Sequence, residues 1–339
     1  MRWLNHLLRA ERGASAVMVG ILMIPLLGFL AIAIDVGALY AEKAQLQNGA
    51  DAAAIAIARN CAVDGLCNSP TTVANQAQDF ANVNSNDAKS NASAVVPAPS
   101  PAPPNSVQVV ATTLEASGAS AIRPFFAIGA APTTMSVVAQ AEWGSPEAAN
   151  VLPLAISYCE FRPALDGKLQ LIRYDRNLEC AGRDGHPIPG GFGWIDPIAD
   201  TCEAAVNLTS ETVPSDPGND PPTSDCDTYF NAMLNTTILV PIFDRAYASN
   251  GNDAVTGAVG SYHIYAFAAF RITGWKFSGN NNLPMTSLDP VAQASPATKC
   301  TGNCRGIQGY FDHWVSVDSA EVQELGGPNL GAEFVRLIK

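Results

Sequence analysis

A run of 22 residues without a charged side chain separates Arg12 from Asp35, and it constrains the fold more than any other feature. At a helical rise of about 1.5 Å per residue, the run makes a rod of roughly 33 Å, close to the thickness of a bilayer core. Pro25 lies inside it, and membrane helices tolerate proline because neighbouring groups satisfy the freed carbonyl. We therefore expect a membrane-spanning helix over residues 13–34.

The charges before this span predict its orientation. Arg2, Arg9 and Arg12 precede it and are opposed by a single acid, Glu11. Because basic residues collect on the cytoplasmic side of a span, residues 1–12 are expected to form a cytoplasmic tail. The region after the span is then extracytoplasmic.

A cleaved signal peptide is the alternative interpretation of the same segment. A basic start, an apolar run and the small pair Ala31 and Ala33 also fit that pattern. The apolar run exceeds the usual signal core of about 7–15 residues, and another helical sequence follows it. Both features favour a retained span, while the sequence leaves cleavage open.

Beyond the span the helix is expected to continue into water. No proline intervenes between Asp35 and Arg59, and the segment is rich in Ala, Leu, Gln, Glu and Lys. Steps of about 100° per residue collect one stripe of small and apolar side chains: Val36, Leu39, Leu46, Ala50, Ala53, Ala54 and Ile57. This stripe packs either on the chain's own downstream domain or on a second subunit, which would make a homo-oligomer.

A set of motif residues joins the span to the Ala-rich helix in a fixed order over about the first 60 residues. Its positions are Gly13, Asp35, Gly37, Gln45, Leu46, Gln47, Ala50, Asp51, Ala53 and Ala54. This order resembles the N-terminal segment of Tad (Flp) pilus-assembly proteins of the TadE/TadG type. The resemblance implies a single-pass envelope protein, anchored in the lipid bilayer, with the Tad pilus machinery or pseudopilin subunits as partners.

One departure separates the chain from the pilins. Pilins and many pseudopilins carry a glutamate five residues after a glycine cleavage point, whereas the fifth residue after Gly13 is Met18. An acid within lipid is costly unless it is paired, so its absence also removes a pairing device between subunits. The resemblance therefore points to an accessory protein closer to TadG than to a processed shaft pilin.

The formal net charge of −12 excludes one class of partner. Residues 1–34 carry about +2, which leaves about −14 on the remainder. A nucleic-acid surface needs clustered Lys and Arg. We therefore expect no nucleic-acid partner.

The eight cysteines all follow the span, and their number is even. In an oxidising compartment they are expected to form disulfides, although eight cysteines allow about 105 pairings. Pairing of neighbours along the chain is the simplest arrangement: Cys61–Cys67, Cys159–Cys180, Cys202–Cys226 and Cys300–Cys304. The spacing of Cys300 and Cys304 also suits zinc, but no second close pair completes a site.

Residues 35–145 are expected to form a helical stalk with a small α/β unit. The pattern predicts a helix over 71–83, a polar loop over 84–94, a proline-rich linker over 95–105 and a strand over 106–114. A helix over 117–129, interrupted near Pro124, and a strand over 133–143 are expected to follow. The linker is either an excursion between elements or a stiff spacer. The Ala-rich helix is expected to cover one face of this sheet.

Residues 146–339 differ in kind and predict a Cys-rich β domain of sandwich or barrel type. Short β-type runs are separated by Gly, Pro and Asn turns, with one helix over 227–234. Four motifs resemble the exterior of actinobacterial TadG-like proteins: Gly-Gly-Phe-Gly-Trp at 190–194, LVPIFD at 239–244, YHIYAFAAFRITG at 262–274, and the final Cys-x3-Cys followed by GYF. The fold class predicted for the whole chain is membrane-anchored α+β.

The sequence contains no pattern typical of an enzyme. His186, His263 and His313 lie in distant segments, and each has an aspartate nearby in sequence: Asp184, Asp253 and Asp312, respectively. A Gly-x-Ser-x-Gly elbow, a His-Glu-x-x-His helix and a phosphate-binding loop are missing from the sequence. We expect no catalytic residue, no metal site and no cofactor.

These observations predict a non-enzymatic, single-pass envelope protein that acts as an accessory or assembly component of a Tad pilus or a related secretion apparatus. The alternative is a membrane-anchored surface adhesin or cell-wall-binding module, with Trp194 and Trp275 as its candidate contacts. A secreted hydrolase is a third hypothesis, and it would depend on one of the histidines.

Overall fold

The structure is a computed structural model of the 339-residue chain. It describes residues 4–64, 67, 69–115, 117–126, 131–161, 167–174, 179–218, 220–254, 259–277, 289–295, 297–317 and 321–338. The chain divides into two units, which are described separately. The N-terminal unit holds residues 1–142 and 337–339, and the C-terminal unit holds residues 143–336.

The N-terminal unit begins with one helix of 61 residues, α1 (Leu4–Asp64). It continues through Pro25 and carries the apolar run and the Ala-rich segment on a single rod, as the sequence predicts. Among the described residues this is the one helix long and apolar enough to cross a membrane, by its length and composition. Its large apolar side chains from Val17 to Ile34 are exposed.

A short helix and a small antiparallel sheet complete this unit. The elements are α2 (Pro70–Val83), β1 (Ser90–Val95), β2 (Ser106–Thr113) and the first part of β3 (Ser136–Val151). Helix α2 begins where Ser69 accepts the backbone N–H of Thr72, with Pro70 in the first turn. The strands pair in the order β1-β2-β3, and both helices pack against the sheet.

In three segments of this unit the structure corrects the sequence prediction or decides between its alternatives. The polar stretch over 84–94 was expected to be a loop, but residues 90–94 belong to edge strand β1. The proline-rich stretch connects β1 to β2, so it is an excursion between two paired strands. The helix expected over 117–129 is wrong for the described residues 117–126, which form bends and a bridge between Ile122 and Thr133. Residues 127–129 lie outside the described part.

Within its described residues, the C-terminal unit is rich in strands and has three short helices. After the end of β3 its elements are β4 (Leu154–Ser157), α3 (Tyr158–Phe161), β5 (Gln170–Arg173), β6 (Glu179–Ala181), β7 (Pro187–Pro189), β8 (Phe192–Ile195), β9 (Ala204–Asn207), β10 (Val213–Asp216), α4 (Asp225–Met233), β11 (Thr237–Tyr247), β12 (Ser261–Lys276), α5 (Pro290–Ala294), β13 (Gly306–Asp312), β14 (Trp314–Ser316), β15 (Val322–Gly327), β16 (Asn329–Leu330) and β17 (Ala332–Leu337).

A central sheet of eight strands organises this unit. Its order is β10-β8-β4-β11-β12-β13-β5, with β16 beside β12. Most neighbours are antiparallel, whereas β4 runs parallel to β11 and β16 runs parallel to β12. A smaller group of strands pairs β9 and β15 with the end of β3, and β14 with β17.

Both faces of the central sheet are buried, which explains the long apolar runs of β11 and β12. On one face Ile238, Val240 and Ile242 of β11 join a cluster that includes Phe230 of α4. On the other face Leu239 and Phe243 join a cluster with residues of β9, β15 and β17. The smaller strand group thus covers one face in the manner of a sandwich.

The eight cysteines form four disulfides between neighbours along the chain. The Cα–Cα distances are 5.1, 5.9, 4.8 and 5.3 Å in chain order, within the usual range of about 4.4–6.8 Å. The α+β fold class is therefore confirmed: a long apolar helix that continues onto a small sheet, followed by a disulfide-bonded β-rich domain.

Candidate functional site

The motif residues of α1 lie in two environments. In the apolar run, side chains such as Ile24 and Phe29 are 75% and 72% exposed. Further along, the stripe formed by Leu46, Ala50, Ala53, Ala54 and Ile57 is buried, and Ala53 is 0% exposed. The transition falls within one continuous helix. The N-terminal part of α1 is therefore exposed along the apolar run, and the C-terminal part is packed along the alanine stripe.

The buried stripe packs within its own unit. Helix α1 lies against α2 and against β2, and Ala77 and Ala81 of α2 are buried as well. Small side chains on both helices allow the two backbones to approach closely. Of the two alternatives left by the sequence, packing on the chain's own downstream domain is the one the structure contains.

Two polar motif residues of α1, Gln45 and Asp35, accept backbone hydrogen bonds from other segments of the unit. The side-chain oxygen of Gln45 accepts the backbone N–H of Asn86 at 2.8 Å. Gln47 donates to Asp51 one turn along the helix, also at 2.8 Å. Asp35 accepts the backbone N–H of Phe125 at 2.8 Å. Gly13 and Gly37 both lie on α1, and a Cβ added at Gly37 would meet open space.

A carboxyl group beside the motif is electrostatically perturbed. Burial raises the pKa of Glu42 above its ordinary value of 4.5, and the nearby charges of Asp87 and Glu115 raise it further. A hydrogen bond with Thr113 opposes this shift. Burial and the two neighbouring acids therefore stabilise the protonated form of Glu42 relative to that of an exposed glutamate.

The C-terminal unit contains an open polar groove of about 800 Å³. Hydroxyl and charged side chains line it, among them Thr209, Ser210, Glu211, Arg245 and His263. At its wall Nδ1 of His263 lies 2.6 Å from Oδ1 of Asp244, which is only 6% exposed. Since Asp244 is buried, it holds the orientation of the imidazole.

A second charged pair lies at the same groove. The guanidinium of Arg245 donates to the carboxylate of Asp184. Slight burial would raise the pKa of Asp184, but the backbone N–H of His186 and the guanidinium outweigh that effect and lower it. The pair is solvent-exposed, so its contribution to stability is small.

The structure pairs the histidines differently from their order in the sequence. His263 meets Asp244 rather than Asp253, and Nδ1 of His186 lies 3.0 Å from Asp253. For His313, the nearby Asp312 accepts only its backbone N–H. The sequence therefore missed Asp244 and Arg245, whose positions follow from the pairing of β11 with β12. Within the described ranges, three or more candidate metal ligands do not come together.

The two tryptophans predicted from the sequence to be ligand contacts lie in the core. Trp194 and Trp275 are 1% and 2% exposed. The ring of Trp194 meets that of Phe277 edge-on at 5.1 Å, and Phe230 packs against both tryptophans. The prediction that Trp194 or Trp275 contacts a glycan is therefore wrong, because neither ring reaches the surface.

Comparison with known proteins adds one finding. Residues 13–60 match the Tad family, described as TadE/G-like Flp pilus assembly. The matched segment holds the apolar run of α1 together with the buried stripe, and it ends before α2. No curated protein and no solved structure matches the chain.

Proposed function

We propose that this protein is a non-enzymatic, single-pass envelope protein that serves as an accessory or assembly component of a Tad (Flp) pilus or a related secretion apparatus. The supporting observation is that the Tad match and one unbroken helix cover the same residues, 13–60. The excess of arginine before the span favours a cytoplasmic N-terminus, with both folded units on the other side of the membrane.

The proposed mechanism is positional. The span fixes the protein beside the pilus platform, and the packed half of α1 makes the anchor and the N-terminal unit one rigid piece. Because the alanine stripe is already covered, a partner would contact the opposite face of the helix. That face is exposed at Tyr40, Ala44 and Asn48, which lie at intervals of four residues.

Site-specific photocrosslinking in cells tests this proposal. A photoreactive residue at Ala44 is expected to trap pilus-platform proteins or pseudopilins, whereas the same residue at Lys89, exposed near the start of the small sheet, is the matched control. Crosslinks from position 44 only to wall polymer or to unrelated surface proteins would contradict the assembly role.

The polar groove keeps a second function under consideration, that of a surface or wall-binding module. Its hydroxyl groups and paired charges suit a polar ligand such as a glycan. The full-length protein in nanodiscs would be tested for binding to isolated cell wall, with Asp244→Asn and Thr209→Ala as variants. If both variants bind the cell wall more weakly than the unmodified protein, the result would favour a wall-binding function. If the protein hydrolyses the ligand and His263→Ala abolishes this hydrolysis, the result would favour the secreted hydrolase.

A further inference from the structure

The end of the apolar run is tied to a distant loop. The backbone N–H groups of Phe125 and Phe126 donate to the carboxylate of Asp35, at 2.8 Å for Phe125 and 3.2 Å for Phe126. Asp35 is the first charged residue after the span. The loop is thereby held at the level where an embedded helix would leave the hydrocarbon and enter the headgroup region.

This loop presents two bare aromatic rings. Phe125 is 77% exposed and Phe126 is 54% exposed, although both belong to a folded unit. Ile122 and Thr133 exchange backbone hydrogen bonds of 2.9 and 3.0 Å at the base of the loop. Since residues 122–126 are held by hydrogen bonds to Thr133 and to Asp35, they would lose little conformational entropy on binding a surface.

We propose that residues 122–126 form a second membrane contact, in which Phe125 and Phe126 insert into the lipid at the Asp35 end of the span. This inference rests on the membrane anchoring proposed above. Three observations carry it: the aromatic pair is exposed, Asp35 holds it level with the end of the apolar run, and Arg123 lies beside it. Aromatic rings suit the lipid–water interface, and a guanidinium suits lipid phosphate.

The contact would fix the tilt and rotation of the span. A single helix is free to rotate about its own axis, whereas a helix with a lateral aromatic anchor presents one face to its neighbours. The exposed face that carries Tyr40 and Ala44 would then point in a set direction within the membrane plane. The loop would act as an orienting device for the proposed assembly surface.

Photocrosslinking to lipid tests the proposal directly. Benzoylphenylalanine would replace Phe125 in the full-length protein in nanodiscs, and lipid adducts would be measured by mass spectrometry. Phe29, inside the span, is the positive control. Phe80 on α2 is the negative control, since α2 packs on α1 near Gly49, roughly 21 Å along the helix from Asp35.

Lipid adducts at positions 29 and 125, several-fold above those at position 80, are the expected result. Adducts at 29 without adducts at 125 would overturn the loop contact and leave the span in place. No adducts at 29 would instead contradict the membrane anchor itself. Adducts of position 125 to a protein, whether a second copy or a pilus subunit, would also overturn the proposal.

A second variant tests the role of Asp35. Asp35→Ala removes the acceptor of both amide hydrogens, so lipid adducts at position 125 are expected to fall while those at position 29 stay constant. Unchanged adducts at position 125 would show that the carboxylate does not hold the loop at the membrane.

Discussion

A Cβ built on Gly49 would lie 3.0 Å from the Cα of Ala81, so α1 and α2 meet almost backbone to backbone. Such an approach is possible only where neither helix carries a bulky side chain. Ala50, next to Gly49 on α1, and Ala77, one turn before Ala81 on α2, are both buried as well. The alanine-rich composition of the motif is thereby explained as packing inside one unit.

Gly49→Leu is expected to destabilise the N-terminal unit. The new side chain would press on the backbone of Ala81, and overpacking of this kind costs about 1–3 kcal/mol, or roughly 3–9 °C in Tm. Gly37→Leu is the matched control, because nothing lies within 4 Å of a Cβ there. Thermal unfolding in detergent micelles measures both, and an equal Tm for the two variants would contradict the close approach.

Ala53→Glu tests whether the stripe is a buried surface. Ala53 is 0% exposed, so a carboxylate there has no water and no partner, and a loss of about 3–5 kcal/mol is expected. Ala44→Glu makes the same change at an exposed position of the same helix and should leave stability nearly unchanged. Limited proteolysis distinguishes the two variants. An Ala53→Glu variant as resistant to protease as the unmodified protein would show that the stripe is not buried.

Glu42→Gln is expected to change the pH dependence of stability. A carboxyl group with a raised pKa binds protons more tightly in the folded state, so its presence lowers the free energy of unfolding as pH rises above 4.5. The variant should gain under about 1 kcal/mol at pH 7, because solvent screens a half-buried charge, and nothing at pH 4. Asp79→Asn, at an exposed position of α2, is the control in urea titrations at both pH values. A gain of the same size at pH 4 would contradict the assignment.

Much of the N-terminal unit can be predicted from the sequence, since its signals are local. The length of the apolar run and the spacing of Ala50, Ala53 and Ala54 follow from helix geometry alone. Strand β1 escapes prediction because it is a polar edge strand, formed by pairing with β2. The loop at Phe125 escapes it too, since its conformation depends on a hydrogen bond to Asp35, 90 residues earlier.

The polar groove lies beyond sequence reasoning for a similar reason. His263 and Asp244 are 19 residues apart, and they meet only because β11 and β12 pair with an irregular register beside Phe243. A bulge of this kind re-aims side chains and has no clear sequence signal here. Asp253 is the aspartate close to His263 in sequence, but in the structure it contacts His186 instead.

The disulfide between Cys202 and Cys226 is expected to stabilise the C-terminal unit more than the one between Cys300 and Cys304. The first closes a sequence separation of 24 and the second one of 4. On the chain-entropy model, removal of each pair by alanine substitution costs about 3.5 and about 2 kcal/mol, respectively. Denaturant unfolding of the two double variants makes the comparison, and a larger loss for the short loop would contradict loop length as the cause.

Gly191→Ala should destabilise the C-terminal unit through a steric clash that only glycine avoids. Gly191 has a φ of +83°, and an added Cβ would overlap the backbone carbonyl oxygen of Arg173. Gly185→Ala is the matched control, because Gly185 has a φ of +87° and nothing lies within 4 Å of a Cβ added there.

Both substitutions carry the same backbone cost, about 1–2 kcal/mol for a left-handed residue with a side chain. The difference between the two variants therefore isolates the clash, for which we expect roughly 1–3 kcal/mol in addition. Equilibrium unfolding monitored by tryptophan fluorescence measures it, since Trp194 is buried three residues after Gly191. Equal losses would show that the approach of Arg173 does not require glycine, and that the backbone angle alone accounts for the residue in the Gly-Gly-Phe-Gly-Trp motif.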